Sequence, residues 1–295
     1  MYRFVAFIIS AALFFAPSVV EAEQEGTPKE RTFQFEKRYA AAGDVDTVRL
    51  RMDMKLDFLL NGPGAEPEEM KASDTTITHY VMTVLAARKG RLDRVKLAFG
   101  EKYEDTVEEG KPERKVSPLS GKTYLAGWVK GRVVVTDEAG KPISKEERDD
   151  IESSLPEFGK ADRVLAAFPD KPIRVGDSLD RFAKVFAEES LQSKDSGVRF
   201  LDTRVRLLEI VPDPKGDVGI FSLTTTMVFL EADGPLGMTF PMEGQLRIRG
   251  KGARLLEFTM AGPARVEVNE ALRAVGVTVQ GSGETRLHLV DPTET

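Results

Sequence analysis

The sequence predicts a mainly β protein: one or more curved antiparallel sheets, or a half-barrel, made of two strand-rich halves joined by a helical segment (α+β). Three observations predict it. Val48, Leu50, Met52, Met54, Leu56, Phe58 and Leu60 alternate with Arg49, Arg51, Asp53, Lys55, Asp57 and Leu59, the period-two signature of a strand with one apolar and one charged face. Strand patterns return from Val198 onward, and a stretch with a capping box and helical spacing lies between. At about 3.3 Å per residue the first run spans roughly 40 Å, a length suited to a twisted sheet wrapped around something apolar, either its own core or a ligand.

The chain opens with Arg3, an apolar run from Phe4 to Phe15, Pro17 and then Val20-Glu21-Ala22. This reads as a secretory signal peptide over residues 1–22, cleaved after Ala22. Pro17 and Glu21 hold the apolar run below the ~20 residues that span a bilayer, so no transmembrane span is expected after cleavage. The expected location is periplasmic or secreted. Residues 23–31 are polar and aperiodic, a disordered lead. The absence of cysteine excludes disulfides, an acylated cysteine and thiolate chemistry. With 48 acidic against 42 basic residues and a net charge of −6, no basic stripe points to nucleic acid.

The N-terminal β half is expected over 32–140. Phe33, Phe35 and Tyr39 suggest a first strand, and Gly43-Asp44 a turn before the long strand. Asn61-Gly62-Pro63-Gly64 ends that strand, and the acidic stretch to Asp74 reads as a loop. Strands follow at Thr76–Ala87 and Arg91–Tyr103, joined by a turn at Lys89-Gly90. A charged loop is expected over 104–120, then short strands at Thr123–Val129 and Arg132–Thr136. In the helical connection, 141–196, Ser144 and Glu147 form a capping box for a helix to Leu155. Phe158, Ala161, Leu165 and Phe168 suggest a second helix over Glu157–Phe168, and Leu179, Phe182 and Phe186 a third. The C-terminal β half, 197–291, carries strands around Val205–Ile210, Ile220–Leu230, Met238–Ile248, Arg254–Met260, Ala264–Val268 and Val277–Val290, the last with a break expected at Gly281-Ser282-Gly283. Lys89-Gly90-Arg91-Leu92 and Lys251-Gly252-Ala253-Arg254-Leu255 echo each other, compatible with a duplication around the helical middle.

Few residues carry chemistry. Gly176-Asp177-Ser178-Leu179 spells the signature of the lipases and esterases named after that tetrapeptide, with Ser178 the nucleophile. The other requirements of that resemblance are missing: neither His79 nor His288 stands in an Asp-x-x-His motif, and β-rich halves flank the segment. Here Gly176 is expected to turn the chain, and Asp177 or Ser178 to cap the third helix. Neither histidine has a second ligand at metal spacing, so no metal and no cofactor is expected. Asp44 with Asp46, Asp149 with Asp150 and Asp213 with Asp217 read as solvated turns or helix surface. Trp128 reads as core. The methionines of the strands could fill an ordinary core or line an adaptable apolar cavity.

From Ser120-Gly121-Lys122-Thr123, through a hairpin ending at Gly140 and a helical pair, to Pro172-Ile173-Arg174-Val175-Gly176-Asp177-Ser178, the chain resembles a module of exported bacterial proteins of unknown function. Its layout is also similar to the lipoprotein-carrier half-barrels of the bacterial envelope, lidded by helices. These resemblances imply periplasmic residence and fold type, and no catalytic residues. The expected function is non-catalytic: binding or carriage of an apolar ligand, a lipid or lipoprotein, in a cavity lined by Leu50, Met52, Met54, Leu56 and Phe58. The alternative is a structural or protein-interaction component of the envelope with a filled core, and a remote third is a serine hydrolase using Ser178.

Overall fold

The structure, a computed structural model, describes residues 31–64, 66–88, 90–108, 110–155, 158–189, 198–229, 236–290 and 292. The expected signal peptide, and the disordered lead up to residue 30, lie outside the described residues. The strands are β1 (Thr32–Phe33), β2 (Glu36–Lys37), β3 (Val45–Asn61), β4 (Glu68–Arg88), β5 (Arg91–Glu108), β6 (Lys111–Val116), β7 (Thr123–Val129) and β8 (Arg132–Asp137) in the first half. Helices α1 (Lys145–Ser153), α2 (Arg163–Ala167) and α3 (Asp180–Glu189) follow, with β9 (Ile173–Arg174) before α3. The second half has β10 (Val198–Val211), β11 (Val218–Phe229), β12 (Leu236–Arg249), β13 (Lys251–Gly252), β14 (Arg254–Val268), α4 (Glu270–Ala274) and β15 (Thr278–Val290).

The predicted fold class holds, and the two halves form a single sheet. Eleven antiparallel strands run in the order β10-β11-β12-β14-β15-β3-β4-β5-β7-β8, with β6 beside β5. The sheet does not close into a barrel. Its seam is the pairing of the last strand with the first long one, from Arg49 opposite Val290 to Asn61 opposite Thr278. A single register then places Val48, Leu50, Met54 and Phe58 on one buried face and Arg49, Arg51, Lys55 and Asp57 on the other, exposed one.

The buried face curls around the helices. One ring of α3, Phe186, lies 5.8 Å from Phe200 on β10 and 5.8 Å from Phe258 on β14. Those strands are three places apart, about 14 Å across a flat sheet, and register sets Phe200 in the row of Phe240, six residues along β12 from Leu246, the partner of Phe258, so the sheet must curl to bring both rings to Phe186. Four inward positions without room for a β-carbon permit the bend. At Gly244, Gly262, Gly281 and Gly283 an added methyl would run into a carbonyl oxygen of the adjacent strand.

Several elements differ from the sequence reading. Strands β4 and β5 are longer than predicted: Glu68–Asp74 pairs with Met54–Leu60, and residues 104–108 and 111–116 form a further hairpin. Pairing partners supplied by tertiary structure override the low strand propensity of these charged residues. Strand β14 continues through Pro263, and β15 continues through Gly281-Ser282-Gly283. The second helix is shortened to Arg163–Ala167, with Asp162 accepting the Leu165 N–H at 2.7 Å. Just before it, Gly159, at a φ of 77°, sits against the Trp128 ring with no space for a side chain.

In place of one first strand, two short ones tie the N-terminal segment to the helical connection and to the far half. β1 pairs with β9 and β2 with β13. Phe33 and Phe35 insert between sheet and helices: Phe33 lies 5.8 Å from Phe221, while Phe35 stacks on Phe168 at 4.5 Å and Phe168 on Phe182 at 4.7 Å. Arg31, expected in the disordered lead, pairs with Asp217 at 2.8 Å. Because Phe186 joins helix, edge strand and central strand, Phe186→Ala should destabilise the fold by about 3–5 kcal/mol. Leu208, 43% exposed at a bulge, should tolerate Leu208→Ala within about 0.5 kcal/mol. Urea denaturation of both variants checks the contrast.

Candidate functional site

The inner face of the sheet is the candidate site, and register shows what it carries. One row across it reads Leu223, Gly244, Met260, Leu287, Met52, Thr76 and Glu104. The next continues Thr285, Met54, Asp74 and Thr106. All five residues predicted to line a cavity, Leu50, Met52, Met54, Leu56 and Phe58, fall on this face. Leu50, Met54 and Phe58 are buried, and Met52 and Leu56 half-buried. Met70, Met82, Met227, Met238, Met242 and Met260 also take inner-face register positions. Every methionine among the described residues therefore faces inward.

Helices cover this face unevenly. Helix α1 is pinned over β5 and β7 through two of its carboxylates. Asp150 pairs with Lys102 and accepts from the Ser117 hydroxyl at 3.2 Å. Glu147 accepts from Lys122 Nζ and Tyr124 Oη, both at 2.8 Å, while closing the capping box with Ser144. Ile151 of the same helix is fully buried. Asp150 is thus part of an anchor, where the sequence suggested a solvated surface. The other predicted acid pairs are also engaged: Asp44 with Arg38, Asp46 with Arg254, Asp213 with Arg249 and Asp217 with Arg31. Away from the helices the inner face stays partly open, and Leu56, Leu60, Met70, Val266, Val279 and Met238 are only half-buried.

Beside the methionine band, on β4 and β5, the inner face turns polar. Asp74, 8% exposed, shares a hydrogen bond with the Glu104 carboxyl and accepts one from the Thr76 hydroxyl at 3.2 Å. Burial, and then Asp74 itself, push the Glu104 carboxyl up to about 7. Burial also raises Asp74. Near neutrality the pair holds a proton, because two adjacent carboxylates resist ionising together in a desolvated place. Sequence reading assigned both acids to the ends of loops. The one available signal was that Asp74 continues the Thr76, Thr78, Tyr80 alternation backwards by one step.

The residues required of a hydrolase are not brought together. Ser178 is exposed and forms an isolated bridge with Arg206 of edge strand β10. His288 lies on β15, four strands away, against Glu257 at 3.2 Å, and His79 lies on β4, six strands away. The tetrapeptide has another role. Gly176 N–H donates to the Leu207 carbonyl, Leu207 N–H to the Asp177 carbonyl and Leu179 N–H to the Val205 carbonyl, at 2.8–2.9 Å, so the segment covers an otherwise unpaired sheet edge. Nor does Asp177 cap α3, since its carboxylate accepts the Arg174 N–H at 2.8 Å. Among the described residues no three His, Cys, Asp or Glu side chains gather as a metal-ligand set, and no helix is long and apolar enough to cross a membrane.

No family model and no curated protein matches the chain. Among solved structures, DynF from the dynemicin biosynthesis pathway of Micromonospora chersina aligns at 8% identity over 94% of this chain and 92% of that one. The TM-score is 0.22, below the level at which a shared fold follows.

The α1 anchor has a pH signature. Hydrogen bonds from Lys122, Tyr124 and Ser144 hold the Glu147 carboxyl down to about 2, against an ordinary 4.5. Its stabilisation is therefore complete above the ordinary value and is lost as pH falls through about 2. Glu147→Gln should flatten the wild-type decline in thermal stability across that acid window, as read by circular dichroism melts.

Proposed function

We propose that this protein is a non-catalytic binding or carrier protein for an apolar ligand, seated against the inner face around Met52, Met54, Leu56 and Phe58. The observation that carries the reading is the gathering of the described methionines on one face, part of which the helices leave half-open. Thioether side chains are flexible and polarisable, so a wall made of them adapts to ligands of irregular shape. An uneven helical cover over an open, curled sheet also provides an entrance.

The same reading places the protein in the periplasm or outside the cell, on the strength of the leader-like sequence over residues 1–22. The layout similarity to envelope lipoprotein carriers makes a lipid or lipidated protein the first ligand class to test. The alternative, a structural partner in the envelope, predicts an inner face that takes up nothing.

N-phenyl-1-naphthylamine fluorescence, read alongside native mass spectrometry of protein purified without detergent, tests the proposal. A saturable, roughly stoichiometric rise in fluorescence, or a retained lipid adduct, is expected. Met52→Glu should weaken probe binding by about tenfold or more, because it places a charge in the apolar band. A clean apo mass together with no saturable probe uptake would overturn the reading in favour of the filled core.

A further inference from the structure

We infer that Glu104 is a proton-controlled competitor for the Lys102 ammonium, and that its ionisation loosens α1 from the inner face. The inference does not depend on what that face binds. Lys102 and Glu104 stand two residues apart on the same face of β5, as shown by their partners Thr78 and Thr76 on β4. At about 3.4 Å of rise per residue, their β-carbons lie roughly 7 Å apart, within reach of a lysine stem. In the structure that ammonium serves α1 instead: it pairs with Asp150, and the two side chains are 13% and 29% exposed.

All the charges around Glu104 bear on this balance. Asp74, one strand over, shares its proton and opposes a second negative charge. Lys115, directly opposite on β6, favours ionisation, and Glu113 on the same strand opposes it. Asp53 reaches Asp74 from the other face of the sheet. While Glu104 keeps its proton, it is a neutral donor to Asp74, and Asp150 has no nearby rival for Lys102 on β5. Once the proton leaves, β5 itself presents an anion to Lys102. Because burial sets Glu104 near 7, the exchange falls close to neutrality, while the Glu147 anchor stays ionised throughout that range.

Hydrogen exchange on the full chain at about pH 5.5 and about pH 8 tests this, with each amide corrected for its intrinsic rate and α3 serving as internal reference. Amides of α1 are expected to lose protection by about tenfold at the higher pH relative to those of α3, the change that one unit of proton linkage supplies. Glu104→Gln, a permanent neutral donor, should hold α1 at its low-pH protection under both conditions. Asp74→Asn removes the opposing charge, so the loss should begin at lower pH. That variant keeps the test decisive if Glu104→Gln does not fold. Equal wild-type protection of α1 at both pH values, an undiminished loss in Glu104→Gln, or no downward movement in Asp74→Asn would overturn the inference.

Discussion

The pairing of β15 with β3 is the interaction on which the rest of the architecture depends. It joins residues from opposite ends of the chain, Arg49 with Val290 and Asn61 with Thr278, and turns two strand-rich halves into one sheet. Without it each half would expose a long edge bearing unpaired N–H and C=O groups and half an apolar face. The entropy of closing so large a loop grows only logarithmically with its length, so the ladder and the buried face behind it can offset it. Kinetics carry the heavier burden, since pairing of such distant residues is slow. The N-terminal segment reinforces the closure by placing Phe33 and Phe35 under helices that belong to the middle of the chain.

Once the seam is formed, its register decides what the inner face carries. A slip by one residue would turn Leu50, Met52 and Met54 outward and bring Arg49, Arg51 and Asp53 in, which burial forbids. That same register aligns methionines from β3, β4, β11, β12 and β14 in one band, with Asp74 and Glu104 at its margin. Glycines where the sheet bends then let the band curl around Phe186. Fold and candidate site are therefore consequences of one alignment.

The Gly-Asp-Ser-Leu tetrapeptide illustrates why a motif needs its context. Its spelling matches a nucleophile turn, yet its backbone groups are used to cover the edge of β10, and the serine lies strands away from either histidine. An exposed edge invites association with other chains, so covering it is sufficient reason for a glycine turn followed by a short extended piece. The predicted acid pairs make a similar point. Asp150 and Asp217 look like surface charge in the sequence, but one fastens a helix and the other the segment that leads into β1.

The sequence by itself determined that the protein is β-rich, which residues form the apolar side of the long strand, where α1 begins, and that cysteine chemistry is excluded. These follow from local rules: side-chain alternation and capping depend on neighbours a few residues away. That Leu50, Met52, Met54, Leu56 and Phe58 share one face was legible for that reason, as they alternate along one side of one strand. Tertiary structure alone decided that the halves make one sheet, that Glu68–Asp74 and residues 104–108 and 111–116 are strand, and that Phe33 and Phe35 pack against β11 and the helical connection. It also decided that Asp74 and Glu104 share a hydrogen bond. The physical reason is that hydrogen-bond partners and desolvation are supplied by segments remote in sequence. They can impose extended structure on a charged stretch and a shared proton on two acids that, read locally, look like the ends of loops.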